Sequence, residues 1–207
     1  MIQDLYNYYK KRADRFWNEI WEQGEYKQAK DLEGDDLVII DIGALSGEFS
    51  WWMYDRAKRI YAIEPHKESF KELLRNVEEY DNKGKFILSN IALADRDGEG
   101  KLAIKNRGGH QLSEVNLNYQ DITIKKLETF MNEHGIDKVD IIKFDVEGAE
   151  QAIFTDFDNV ASRVRFCIGE IHNGLEDFMI RVFERNNFKV EIHKGNIITA
   201  QNTKWVL

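Results

Sequence analysis

Two periodicities take turns along this chain. Between residues 3 and 30, Leu5, Tyr8, Tyr9, Phe16 and Ile20 recur at helical spacing, which predicts a helical stretch ahead of the first strand, a lid or packing helix. LVIID (37–41) is a short unbroken apolar run, the pattern of a strand covered on both faces. SGEFSWWMYDRA (46–57) then reads as a helix and RIYAIEP (59–65) as a second strand. A helix follows with Phe70, Leu73, Leu74 and Val77 on one face, then the strand KFILSN (85–90). ALADRDGEGKLAIKN leads into a Gly-rich polar stretch over 107–120. QDITIKKLETFMNEHG (120–135) predicts a short strand and a helix, and VDIIKFDVEG (139–148) a fourth buried strand. VRFCIGEIH (164–172) is a fifth, followed by a helix carrying Leu175, Phe178, Val182 and Phe183. The end differs: FKVEIHKGNIITAQ (188–201) holds two strand-like runs joined at Lys194-Gly195, which is hairpin chemistry.

Alternating strands and helices imply a mainly parallel sheet with helices on both faces. The expected fold is α/β and Rossmann-like, a doubly wound, mostly parallel seven-stranded sheet closed by a C-terminal antiparallel hairpin. Residues 1–35 are expected as a helical extension or lid and 36–207 as the domain itself. No internal repeat and no Pro- or Ser-rich linker interrupts it.

Composition narrows the partners. The formal charge of -8 speaks against a nucleic-acid surface, because a phosphate backbone needs a clustered basic face. The run Lys10-Lys11-Arg12 reads as a solvated helix face. Cys167, the single cysteine, lies in an apolar run and reads as a small core residue. Alone it excludes an internal disulfide, so a reducing cytoplasm is expected. The first residues, MIQDLYNYYK, lack the apolar stretch of a signal peptide, and no uncharged run is long enough to span a bilayer. The expectation is a soluble protein with no nucleic-acid partner and no membrane span; homo-oligomer formation stays open.

Open α/β sheets bind ligands at the carboxyl ends of their strands. The first strand runs into Asp41-Ile42-Gly43-Ala44-Leu45-Ser46-Gly47, with Glu48 opening the next helix. Gly43 and Gly47 permit positive φ and let a ligand approach the backbone. A dinucleotide loop would read G-x-G-x-x-G around a pyrophosphate. Here one glycine is missing and an acid, Asp41, stands beside the turn, which suits a cofactor bearing an ammonium and a sulfonium. A ligand-free β-to-α turn is the alternative for this loop alone. Glu64, before Pro65 at the tip of the second strand, can accept both hydroxyls of a ribose. In SNIALAD, an amide or backbone group of Asn90, Ile91 and Ala92 can read an adenine edge while Ile91 packs on its face; an ordinary strand-end turn is the alternative.

In that order, DIGALSGEFS, AIEP, SNIALAD and above all IIKFDVEGAE resemble the FkbM-type methyltransferases, a branch of the class I methyltransferase fold, over about residues 36–175. The resemblance implies S-adenosylmethionine as cofactor, held by the residues just named together with Asp145. It further implies methylation of a hydroxyl on a small molecule, sugar or glycan. Leu45-Ser46 departs from the Asn-Ile or Asn-Val common in the family, but both glycines remain. With Pro65 the only proline, the proline pair of amino-directed enzymes and the Pro-Cys nucleophile of cytosine-C5 enzymes cannot be built. Two further readings stay open: a non-catalytic cofactor-binding module with the same fold, and a nucleotide-dependent dehydrogenase, disfavoured by the missing third glycine.

Methyl transfer to an alcohol asks the protein to hold the acceptor oxygen behind the methyl group and to take its proton. Candidates at the ends of the fourth and fifth strands are Lys143, Asp145, Glu147, Glu170 and His172. Glu147 could instead cap the following helix, where Glu150 lies three residues on. Lys143 shares a strand side with Asp145 and could simply pair with it. Glu170 and His172 also share a strand side, and His172 is a natural general base, with a satisfied strand-end histidine as the alternative. Asp145, Glu170 and His172 could ligate Mg²⁺, but histidine suits that ion poorly, and no metal is expected. Tyr8, Tyr9, Trp17, Trp21 and the loop containing His110 are expected to wall the acceptor pocket, or to pack on the sheet.

Overall fold

A computed structural model describes residues 2–11, 14–104 and 118–206. In chain order the strands are β1 (Leu37–Ile42), β2 (Ala57–Ile63), β3 (Phe86–Ser89), β4 (Ala92–Leu93), β5 (Gly98–Ile104), β6 (Asn118–Lys125), β7 (Val139–Phe144), β8 (Val164–Glu170), β9 (Phe188–Ile192) and β10 (Ile197–Asn202). Seven of them make one sheet in the order β3-β2-β1-β7-β8-β10-β9. β1 to β3, β7 and β8 run parallel, and β10 runs antiparallel to both β8 and β9. The sheet is therefore doubly wound with a terminal antiparallel hairpin. The chain builds outward from β1 in one direction and resumes at β7 in the other, so the strand order reverses between those two neighbours. That reversal opens the crevice where such sheets take ligands.

The central strands are buried on both faces, as their unbroken apolar runs require. Ile39, Ile40, Ile141, Ile142 and Phe144 are fully buried. Seven helices, α1 (Ile2–Lys11), α2 (Arg15–Trp21), α3 (Glu48–Trp52), α4 (Lys67–Tyr80), α5 (Leu127–Glu133), α6 (Glu150–Phe154) and α7 (Glu176–Arg185), accompany them among the described residues. One apolar cluster holds α5 and α7 side chains, such as Phe130 and Phe183. The other holds Leu5 and Tyr9 of α1 and Trp17 and Ile20 of α2 with β1 residues Leu37 and Ile39. Cys167 is buried among the first cluster. None of the described helices is long and apolar enough to cross a membrane.

Three segments differ from expectation. The stretch 3–30 divides into α1, α2 and a turn of 3-10 helix at Lys27–Ala29. Asp14 caps α2 by accepting the Trp17 amide at 3.2 Å, a local competitor that starts a new helix. Lys10 and Lys11 are exposed, whereas Arg12 lies outside the described residues. The helix predicted over 46–57 stops at Trp52 and gives way to a 3-10 turn at Tyr54–Arg56. Finally, β4, β6 and β5 form a second, three-stranded sheet, where only a short strand was expected. Every residue of β5 is exposed or half-buried, and its glycines read as turn rather than strand.

Candidate active site

The turn after β1 is shaped by its glycines and fixed by buried carboxylates. Gly43 has φ +76°, and a Cβ there would overlap the carbonyl oxygen of Asp145, so β1 and β7 meet closely at their tips. Lys143 Nζ donates to the Gly43 carbonyl at 2.9 Å. Leu45, at φ +48°, gives its amide to Glu64 Oε2 at 2.9 Å, and the His66 amide donates to Glu64 Oε1 at 2.7 Å. Glu64 thus holds the first turn against the tip of β2; burial raises its pKa, opposed by the two amides. Glu48 accepts from the Ser46 hydroxyl at 2.7 Å and from the Ser46 amide at 3.1 Å. Burial pushes the Glu48 carboxyl up to about 7 despite those bonds. Trp17 Nε1 of α2 and Asn76 Nδ2 of α4 fasten Ser46 from outside, at 3.2 and 2.9 Å. Ala44 is buried within the same turn, and Gly47, at φ +102°, ends it against Trp51 and Leu73.

Asp41 does not reach the crevice. It is fully buried, accepts from Ser50 Oγ at 2.7 Å and pairs with Lys143 at 3.2 Å, its register partner on β7. Asp41 was expected beside a cofactor, and Lys143 as a catalytic candidate that could simply pair with Asp145; here Asp41 secures Lys143, which secures Gly43. The Lys143 pKa is pulled down by burial and raised by Asp41 and Asp145, with a net rise.

At the tips of β2 and β3, the Asn90 amide donates to the carbonyls of Glu64 and Pro65 at 2.7 and 3.1 Å, so its NH₂ group is committed to the loop. Ile91 packs half-buried on the core, and Ala92 begins β4. Gln120 of β6, which no motif marks, donates to the Pro65 carbonyl at 2.7 Å and accepts the Lys67 amide at 2.9 Å.

A cleft opens between the α2 region and the ends of β1, β7 and β8. Phe16, Glu19, Glu25 and Tyr26 line one side, and Asp145, Glu147, Glu170 and His172 the other. Of the four aromatic residues expected as its wall, Tyr9 and Trp17 are buried and stacked with ring centres 4.4 Å apart. Trp21 stacks on Trp17, and Tyr8 is exposed. These rings pack, and Phe16 and Tyr26 provide the wall. His110 lies outside the described residues.

His172 is the centre of the far wall. Its Nδ1 lies 2.7 Å from Glu150 Oε1. Glu150 is fully buried, and its Oε2 has no partner among the described residues. On the other side Nε2 faces Glu170 Oε2 at 3.7 Å and Asp145 Oδ1 and Glu147 Oε2 at 4.0 Å each. Burial lowers the His172 pKa, but Glu150, Glu170 and Asp145 raise it further, for a net increase. The Glu170 carboxyl is pushed up by burial and by Asp145, and Glu25 reaches about 7 through burial and the charges of Glu19 and Glu170. Glu147 does not cap α6, which starts three residues later; it sits at φ +52° with its side chain 87% exposed. Tyr26 is 1% exposed, and its hydroxyl has no partner among the described residues. Glu150 and Tyr26 were not singled out from the sequence. Only the motif DVEGAE marks Glu150, and nothing local marks its pairing with His172.

The sequence profile of the methyltransferase FkbM domain matches residues 41–190. The chain is 25% identical over 189 residues to the hexuronic acid methyltransferase AglP of Haloferax volcanii, covering 85% of this chain and 76% of AglP. It is 24% identical over 211 residues to the AMB antimetabolite synthetase AmbE of Pseudomonas aeruginosa, covering 79% of this chain but only 10% of that much longer protein. The crystal structure of methyltransferase FkbM from Methylobacillus flagellatus superposes with a TM-score of 0.61 at 13% identity, over 85% of this chain and 46% of that one. This last likeness is one of fold.

Proposed function

The chain belongs to the FkbM methyltransferase family, and we propose that it moves the methyl group of S-adenosylmethionine onto a hydroxyl of a sugar, glycan or other small molecule. The observation that carries this reading is the sharing of one cleft by Gly43, Ala44 and Leu45 and by the strand-end groups Glu170 and His172. The residues fit the cofactor. Gly43, in the left-handed region, lets the turn after β1 close on the Asp145 carbonyl beside the cleft, and Glu64 holds that turn from the tip of β2, where a ribose lies in nucleotide-binding sheets. Two glycines without a third suit a ligand lacking a pyrophosphate. When bound, S-adenosylmethionine supplies a methyl group on a positively charged sulfur, open to displacement by an oxygen lone pair. The protein's part is to orient the acceptor, exclude water and remove a proton. Phe16 and Tyr26 cover the cleft, and Glu170 receives the hydroxyl proton beside His172, which Glu150 holds in place to orient the acceptor. Kinship with a hexuronic acid methyltransferase supports a sugar acceptor.

The test is transfer of label from methyl-labelled cofactor to a panel of sugars, glycans and hydroxylated lipids. The expected product is a base-stable methyl ether. Replacing His172 by alanine should lower kcat at least about a hundredfold while leaving cofactor affinity within a few-fold. Label found only in nucleic acid, or turnover untouched by His172→Ala, would overturn the reading.

A further inference from the structure

The wall around His172 is a box of electron-pair donors. Asp145, Glu147 and His172 each offer one ligand atom, and the three atoms lie within 4.8 Å of one another. From Nε2, the distances of 3.7 to 4.0 Å to three carboxylates are too long for hydrogen bonds. They fall within the span set by a cation with ligands at about 2.1 Å, which places adjacent donors about 3 Å apart and opposed donors about 4.2 Å apart. Among the described residues, the cleft's two basic side chains are both engaged: Arg15 with Glu19 at 2.7 Å and Lys143 with Asp41. Against these, the lining carries six carboxylates, Glu19, Glu25, Glu48, Asp145, Glu147 and Glu170.

Two features outside the box point into it. The buried Glu150 receives Nδ1–H of His172, which turns the Nε2 lone pair toward the cleft. That carboxylate–imidazole pairing is the usual support behind a metal-bound histidine. Tyr26, almost wholly buried, places on the same cleft a hydroxyl without a partner among the described residues, close enough to feel the charges of Asp145 and Glu170. A hydroxyl in that position needs a bound water or ligand to complete it.

We propose that Asp145, Glu147 and His172 bind a divalent transition-metal cation, with Glu150 as the residue that positions His172. One imidazole among carboxylates suits Mn²⁺, Fe²⁺ or Zn²⁺ better than Mg²⁺ or Ca²⁺. Such a cation offsets the crowded negative charge and allows even an acidic sugar to approach. Its part in turnover rests on the methyl-transfer reading. It acidifies the acceptor hydroxyl, whose proton passes to Glu170 as the oxygen–methyl bond forms and the sulfur–methyl bond breaks.

Cation binding itself is measured on the cofactor-free, chelator-stripped chain, by titration with Mn²⁺ followed by electron paramagnetic resonance and with Zn²⁺ in competition. The expected result is one Mn²⁺ per chain, displaced by Zn²⁺. Affinity should fall at least about tenfold in His172→Ala and Glu147→Gln and about 10- to 100-fold in Glu150→Gln. Glu147 is too exposed for its replacement to unfold the chain, so that variant keeps the test decisive even if Glu150→Gln is unstable. Failure of wild type to bind either ion at millimolar concentration, or affinity unchanged from wild type in both Glu147→Gln and His172→Ala, overturns the proposal. A chain that binds S-adenosylmethionine but no cation removes this inference alone; one that binds the cation but not the cofactor removes the methyl-transfer reading.

Discussion

Replacing Lys143 by methionine isolates the buried charge behind the Gly43–Gly47 turn. Methionine keeps most of the lysine's length and apolar volume, so the change is chiefly one of charge and hydrogen bonding. Asp41, at 0% exposure, is then left with the Ser50 hydroxyl as its partner. Removing one member of a buried pair costs about 3–5 kcal/mol, because the remaining charge stays dehydrated and uncompensated. Against a total stability of about 5–15 kcal/mol, this is a large fraction. The Gly43 carbonyl also loses its donor at 2.9 Å, so the turn should loosen along with the fold. The double variant Asp41→Asn/Lys143→Met removes both charges and should recover most of the loss, to within about 2 kcal/mol of wild type. The assay is urea unfolding at pH 7 with slope and midpoint fitted together. A loss below about 1 kcal/mol in the single variant, or a double variant less stable than the single, would refute the assignment of this ion pair.

Gly43→Ala should be destabilised by about 2–4 kcal/mol, since its Cβ meets the Asp145 carbonyl oxygen and its φ is positive; thermal melting reads the loss and calorimetry a weakened affinity for S-adenosylmethionine. Glu48 gives a pH signature. Its carboxyl titrates near 7 when folded against an ordinary 4.5, so the folded chain holds this proton more tightly and stability falls as pH rises from about 4.5 to 7, by about 3 kcal/mol. Glu48→Gln should remove that component and be more stable than wild type at pH 8 but not at pH 4, as urea midpoints at the two pH values will tell.

The main sheet was legible because its strands are buried on both faces and so spell continuous apolar runs, as in Ile39-Ile40 and Ile141-Ile142. The second sheet was not, because β5 carries Glu99 and Lys101 in an exposed strand whose hydrophobic signal is thin. In the site, strand ends pointed to Glu64, Asp145, Glu170 and His172, since topology alone brings strand ends together. What the chain order could not show is which side chains look into the cleft. Asp41 and Lys143 are neighbours across two strands separated by about a hundred residues, and their pairing is a matter of register. The distinction between Trp17, which packs, and Phe16, which lines the cleft, is a one-residue difference in helix phase, set by where Asp14 starts α2. Glu150 reads as an ordinary acid on a helix until β8 delivers His172 to it.

Titration calorimetry tests most directly whether the turn after β1 and the tip of β2 hold S-adenosylmethionine. Wild type should bind one S-adenosylmethionine per chain, give no heat with NAD, and lose at least about tenfold in affinity on Glu64→Ala, the loss of a charged hydrogen-bond acceptor. Heat with NAD and none with S-adenosylmethionine, or an unchanged affinity in Glu64→Ala, would contradict it.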